Sequence, residues 1–208
     1  MTSAPGGRPF PRDVLAGDTL HAARAILGAR LVRDGDGRVP RRVGRIVEVE
    51  AYVGEGDRAS HARMGPTPRN RVMFGPPGIA YVYLVYGMHH CLNLVTEPAP
   101  RPAALLVRAV EPLEGLDAMR RGSSRPGVRV AAGPGLVGAA FAIDRACSGV
   151  DLCDPASGLR IEARPDDEPA PEVVTGPRIG IAYAGEPWTS LPWRFGIAGS
   201  PSLSRRFR

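Results

Sequence analysis

Short apolar stretches alternate along the chain with clusters of glycine, proline and charge, and the stretches carry two different periods. Over Asp18–Gly28 the apolar positions Leu20, Ala23 and Leu27 recur at helical spacing, with Asp18 placed to cap the first turn and Gly28 to end the helix. Leu31-Val32-Arg33 opens a strand, and Asp34-Gly35-Asp36-Gly37 reads as the turn that follows. Arg42–Val53 alternates with period two. That sets Val47, Val49, Ala51 and Val53 on one face and Ile46, Glu48, Glu50 and Tyr52 on the other. Gly54–Gly65 is a polar loop in which Asp57 caps a short turn holding His61. Thr67-Pro68 has the form of a helix start, and predicts a single turn over Asn70–Phe74, closed by Gly75-Pro76-Pro77-Gly78.

Ile79–Val85 and Cys91–Thr96 read as two strands joined by a hairpin tip, Tyr86-Gly87-Met88-His89-His90, with Tyr81 and Tyr83 on one strand face. Ala103–Val110 is a strand carrying Arg108, and Leu113–Arg121 a helix ending at Gly122, before a loop over Ser123–Gly127. Leu136–Ile143 is a short apolar helix behind Gly133-Pro134-Gly135. Leu159–Ala163, Arg178–Tyr183 and Arg194–Ile197 are strands, and Arg164–Pro177 is an acidic, proline-rich loop. There is no internal repeat and no linker. The pattern predicts one α+β domain over residues 13–204, a loose arm over 1–12 and a mobile basic tail over 205–208.

Composition narrows the chemistry. A chain of 208 residues can bury a core without metals or disulfides. Cys91, Cys147 and Cys153 are odd in number and lack paired C-x-x-C spacing, so the expectation is no metal, no cofactor and a reducing cytoplasm. No apolar run reaches membrane-spanning length and no signal peptide opens the chain. The net charge of +6 favours a polyanionic partner, although a basic solvated surface explains charge alone equally well. All 27 cations are arginines, which excludes a lysine Schiff base and favours bidentate phosphate contacts.

The stretch Glu48–Asn93 gathers carboxylate, imidazole, tyrosine and asparagine more densely than any other, and reads as a pocket for one flat, neutral or cationic ring with a carboxylate at its mouth. A buried or half-buried Glu50 beside aromatic rings can hold a water and take its proton. Tyr52, His61 and Tyr83 can stack a planar ring, and Asn93 can sort its exocyclic groups. Tyr86 and Met88 form an apolar wedge of the kind that unstacks bases. Arg69 and Arg71 are available for phosphates, and Arg108, in an apolar strand, needs Glu50 or a phosphate as its anion.

The stretches E-V-E-A-Y-V-G, S-H-A-R, T-P-R-N-R, Y-V-Y-L-V-Y-G-M, C-L-N, L-V-R-A-V-E-P-L-E-G and R-I-G-I with A-G-E resemble the alkyladenine (3-methyladenine) DNA glycosylase family, in order, from about Leu20 to Ser204. The resemblance implies a single mixed domain with a curved, largely antiparallel sheet, flanking helices and a projecting β-hairpin. It implies a monofunctional glycosylase that flips alkylated or otherwise damaged purines (3-methyladenine, 7-methylguanine, hypoxanthine, ethenoadenine) from double-stranded DNA and hydrolyses the N-glycosidic bond. The family's catalytic glutamate falls on Glu50, and the arginine beside its water on Arg108. The rings around the flipped base fall on Tyr52, His61 and Tyr83, and the asparagine that disfavours guanine on Asn93. The intercalating residue falls on Tyr86, with Met88 beside it, and further DNA contacts on Met73, Leu106 and Ile179. A monomer, associated with the nucleoid in a bacterium, is the matching expectation. The chain departs from the family at Leu136 and Ala139, where a lysine and a glutamine are frequent, at His89 and His90 after the wedge, and at Met64-Gly65-Pro66. Weak DNA engagement at Leu136 and Ala139 would suit an alternative, a damage-binding protein with little hydrolysis. A hydrolase of free nucleosides would need neither the wedge nor the basic surface.

Overall fold

A computed structural model describes residues 7–35, 39–121, 123 and 125–207. The second half of the expected turn after the first strand, Gly122 at the expected helix end, Ser124 of the following loop, Arg208 of the tail and the first half of the arm lie outside the described residues.

The first helices are short. α1 spans Arg12–Ala16 and was not expected from the pattern. α2 spans Thr19–Ala25; the Asp18 side chain accepts from the His21 N–H at 2.8 Å, a cap worth about 1 kcal/mol. Ala22 and Ala23 are buried, and Ile26 and Leu27 follow in the turn. Burial of a large apolar side chain of this kind stabilises by roughly 1.5–3 kcal/mol.

The sheet is built from β1 (Arg30–Arg33), β2 (Arg42–Tyr52), β3 (Ala80–Val85), β4 (His89–Thr96), β5 (Ala103–Glu114), β6 (Ala131–Ala132), β7 (Leu159–Glu162), β8 (Val173–Gly176) and β9 (Arg194–Ile197). The main order is β3-β4-β5-β2-β1-β7; β6 pairs with β5, and β9 joins β2 and β8. Every recorded strand pair is antiparallel. With α3 (Leu116–Arg120) and α4 (Pro134–Ala140) beside the sheet, the architecture is the expected α+β domain.

Several elements differ from the pattern. β5 runs on through Leu113 and Glu114, so α3 starts later than expected. β8 lies inside the stretch read as an acidic loop: Val173, Val174 and Thr175 are β-branched and pair with β9. Arg178–Tyr183 is not a strand. Its backbone turns at Gly180, in the left-handed region, and into a 3-10 turn over Ala182–Ala184. The alternation of β2 also breaks: its ladder with β5 slips between Ile46 and Glu48 and again before Val49, and Ile46 joins Val49 and Ala51 in the main core.

The first and last described residues are packed. Phe10 is buried in the core, and Arg12 pairs with Asp151 at 2.6 Å. Of the segment expected to be mobile at the other end, residues 205–207 contact Arg194 of β9, whose guanidinium sits 3.7 Å from the Phe207 ring centroid.

The β3–β4 hairpin stands at the sheet edge. Its tip is tighter than expected: Met88 donates its N–H to Val85 O at 3.2 Å, and His89 and His90 already belong to β4. Tyr86 and Gly87 both have positive φ, 52° and 72°; glycine takes this freely, a tyrosine only under strain. α4 packs against the hairpin close to its tip, at His89 and His90. A Cβ on Gly138 would come 2.1 Å from the His90 carbonyl oxygen, so only glycine lets the helix lie this close.

Candidate functional site

A cavity of about 450 Å³ opens between β2, β3, β4, β5 and the 178–183 loop. Its lining includes Tyr52, His61, Arg69, Met73, Tyr83, Tyr86, Asn93, Leu106, Arg108 and Ile179, all of them expected from the sequence. Of the other expected residues, Met88 is exposed on the hairpin and Arg71 at the 3-10 turn, both outside this lining. Leu136 and Ala139 lie on α4, half-buried and exposed.

Glu50 is not at the mouth. It is fully buried beneath the lining, because β9 pairs along β2 at Glu48–Glu50 and closes that side. Every group that touches its carboxylate lines the cavity. Tyr52 Oη donates to Oε2 at 2.9 Å, Ile179 N–H donates to Oε1 at 2.7 Å, and Arg108 Nη1 lies 3.3 Å from Oε1. Burial raises the carboxyl above the usual glutamate range; Arg108, the Ile179 N–H and Tyr52 oppose that rise without cancelling it. For Arg108, burial works against the charge, and Glu50 and Glu48 more than compensate, so its guanidinium is held more firmly protonated than usual.

The aromatic walls have unequal roles. His61 and Tyr83 meet edge to face with centroids 4.4 Å apart, so they form one continuous wall with no slot between them. Tyr81, not assigned to the pocket from sequence, extends that wall: it lies 5.5 Å from Tyr83 and its hydroxyl is 3.1 Å from His61 Nδ1. The position of Tyr81 beside Tyr83 in the strand alternation was the available signal. Burial, then Arg69 and Arg63, lower the His61 pKa to about 4, so the ring is neutral at pH 7 even though its edge is exposed at the rim. Tyr52 stands apart, with the Arg178 guanidinium 4.7 Å from its ring centroid. Asn93 donates Nδ2–H to Tyr81 O at 3.0 Å, which satisfies the buried amide and fixes its plane.

Two supporting groups were not legible as parts of the site. Asp57 and Arg178 form a fully buried, two-pronged ion pair, and Arg178 also donates to Ala51 O at 2.9 Å. The pair ties the start of the 178–183 loop to the end of β2, and so sets where the Ile179 N–H points. Tyr183 stands at the mouth, 60% exposed, its hydroxyl donating to Ala59 O at 2.9 Å. Exposed Arg63 lies over its ring, and exposed Arg69 and Tyr86 share the cavity lining with it. Apolar tips among arginines suit a partner with both stacked rings and phosphates.

Among the described residues no helix is long and apolar enough to cross a membrane. The family model described as Methylpurine-DNA glycosylase (MPG) matches residues 13–201. Relatives named "Putative 3-methyladenine DNA glycosylase" include one from Methanocella arvoryzae, 52% identical over 95% of this chain and 96% of its own. Another, from Anaeromyxobacter dehalogenans, is 51% identical over 94% of this chain and 86% of its own. A third, from Myxococcus xanthus, is 48% identical over 94% and 93%. With the match spanning nearly the whole domain and both walls of the cavity, the chain belongs to the methylpurine-DNA glycosylase family, hydrolases of N-glycosyl bonds in DNA.

Proposed function

We propose that this protein excises alkylated or otherwise damaged purines from duplex DNA by base flipping and a Glu50-activated water. The observation that carries the reading is the buried Glu50 carboxylate, every direct partner of which also lines the cavity. A base inside a duplex cannot reach such a group, so the nucleotide has to leave the stack. Tyr86 is 86% exposed at the hairpin tip and fills the vacated space. The arginines around the mouth hold the backbone in a salt-dependent, sequence-independent way.

The flipped purine lies between Tyr52 and the His61–Tyr83 wall, with Asn93 against its edge. A purine alkylated at N3 or N7 is cationic, and the electron-rich tyrosine faces favour it. The neutral His61 adds no repulsion. A water held against both Glu50 and Arg108 at the cavity floor attacks C1′. Its proton passes to Glu50, the C1′–N bond breaks, and the base leaves with the bonding pair. An alkylated purine then departs neutral and needs no further proton, whereas hypoxanthine or ethenoadenine must gain one as it leaves. The described residues complete this site within one chain, which suits a monomer.

The test is single-turnover base release from duplexes bearing one ethenoadenine or hypoxanthine, and from alkylated DNA, with wild type and Glu50→Gln in parallel. Abasic sites from wild type, and release slowed by about 10²–10⁴-fold in the variant with damaged-DNA binding kept, are expected. Unchanged turnover in Glu50→Gln would remove Glu50 from the mechanism. Tight binding with no release by wild type would leave a damage-binding protein.

A further inference from the structure

A second carboxylate sits behind the first, and the proposed mechanism makes no use of it. Glu48 is fully buried on β2 and accepts from four donors. Ser204 N–H and Oγ–H approach at 2.6 and 2.7 Å, and Arg108 Nε and Arg194 Nη1 each at 3.2 Å. Arg108 is therefore shared. Its Nε faces Glu48, while Nη1 faces Glu50 at 3.3 Å and Nη2 reaches Ser204 Oγ at 3.4 Å. Behind Glu48, Arg194 is clamped by the carbonyls of Arg205 and Arg206 and by the Phe207 ring. The last described residues thus close a chain of contacts that runs from Phe207 through Arg194, Glu48 and Arg108 to Glu50.

We propose that Glu48, seated by Ser204 and Arg194, is a positioning residue that fixes the orientation of Arg108 and sets how much of its charge reaches Glu50. The inference rests on Glu50 being the base. A guanidinium is rigid and planar, so holding Nε from behind determines where Nη1 points. The shared charge matters because Glu50 is out of water: the nearby Glu48 carboxylate disfavours the ionisation of Glu50 while drawing on the same Arg108 cation. The other groups facing Glu50 are Tyr52 and the Ile179 N–H, with Tyr83 and Tyr183 further off and Arg194 opposite it in the β2–β9 ladder. Glu48 and Glu50 are the only carboxylates among these.

The experiment is the pH dependence of single-turnover base release, read as the midpoint of the acid limb, for wild type, Glu48→Gln, Ser204→Ala and Glu50→Gln. Removing the charge of Glu48 leaves Arg108 to Glu50 alone, so the Glu48→Gln midpoint moves down by about one pH unit. Ser204→Ala takes one donor from Glu48, which then draws harder on Arg108, so its midpoint moves up. Opposite shifts in the two variants support the proposal. A role confined to packing would lower the melting temperature and leave both midpoints in place, and that result, or a shift in the same direction for both, overturns it. Should Glu48→Gln fail to fold, Ser204→Ala decides: an upward shift supports, and no shift refutes. Glu50→Gln separates this from the parent reading, since retained turnover there removes the base itself, whereas lost turnover with unmoved midpoints removes only the role of Glu48.

Discussion

The floor of the cavity and the tip of its hairpin are built by opposite rules. At the floor, Glu48, Glu50, Asp57, Arg108, Arg178 and Arg194 are all at least nine-tenths buried, and each carboxylate has its cationic partner. At the tip, Tyr86 and Met88 are 86% and 70% exposed, and Tyr86 holds a left-handed backbone that its side chain disfavours. Buried ion pairs seldom stabilise a fold beyond what an apolar replacement would, yet breaking one is costly. Under the proposed function, the floor trades stability for fixed geometry at the reacting atoms, while the tip stores strain where the proposed wedge would enter a stacked duplex.

The largest test of this contrast is Arg178→Met. It leaves Asp57 buried without its cation and is expected to lose about 3–5 kcal/mol, read as a lower urea midpoint. A loss below about 1 kcal/mol would mean that the floor tolerates rearrangement. Tyr86→Gly should behave in the reverse sense. Relief of the left-handed strain holds or raises stability by about 1 kcal/mol, while base release from paired duplex falls on the order of tenfold or more. Equal losses in stability and release would erase the distinction between tip and floor.

Smaller effects sharpen the boundary between the two regions. Asn93→Ser is expected to relax discrimination against guanine-type bases by roughly fivefold, measured as the ratio of release rates from hypoxanthine and guanine-derived sites. The pH dependence should belong to the floor. Glu50 is raised by burial, and as the proposed base it acts deprotonated, so release is expected to be lost as pH falls through a limb above the ordinary glutamate range. His61→Phe should leave that limb in place, because His61 is neutral down to about pH 4. What His61 does confer is acid sensitivity of the fold. Its pKa is lowered from 6.5 to about 4, so stability present above 6.5 declines as pH falls toward 4, and the phenylalanine variant should show a flatter urea midpoint across that window.

The strands that carry the site were legible because their signals are local. β-branched and aromatic alternation marks β2, β3 and β4, and Asp18 marks the start of α2. The lining residues could be named because the family's motifs run in order along the chain, on loops as well as strands. Burial of Glu50 could not be read, since it depends on β9 closing over β2 from far along the chain. Arg178–Tyr183 misled for a related reason. Its apolar alternation suits a strand, but the Ile179 N–H is committed to Glu50 and Gly180 turns the backbone away. β8 was hidden because prolines and acids around it outweighed three β-branched residues. The partners of Asp57 and Glu48 were out of reach of any pattern in a short window.

Those distances along the chain also have a consequence in time. The bond from Ile179 to Glu50 spans 129 residues, and that from Ser204 to Glu48 spans 156. The β3–β4 hairpin, by contrast, closes within a few residues of its own turn. Contacts of long sequence separation form late, because the entropy of closing the intervening loop must be met first. A refolding molecule is therefore expected to form the hairpin that carries Tyr86 before it desolvates Glu50. Recovery of catalysis then marks the end of folding more faithfully than recovery of secondary structure does.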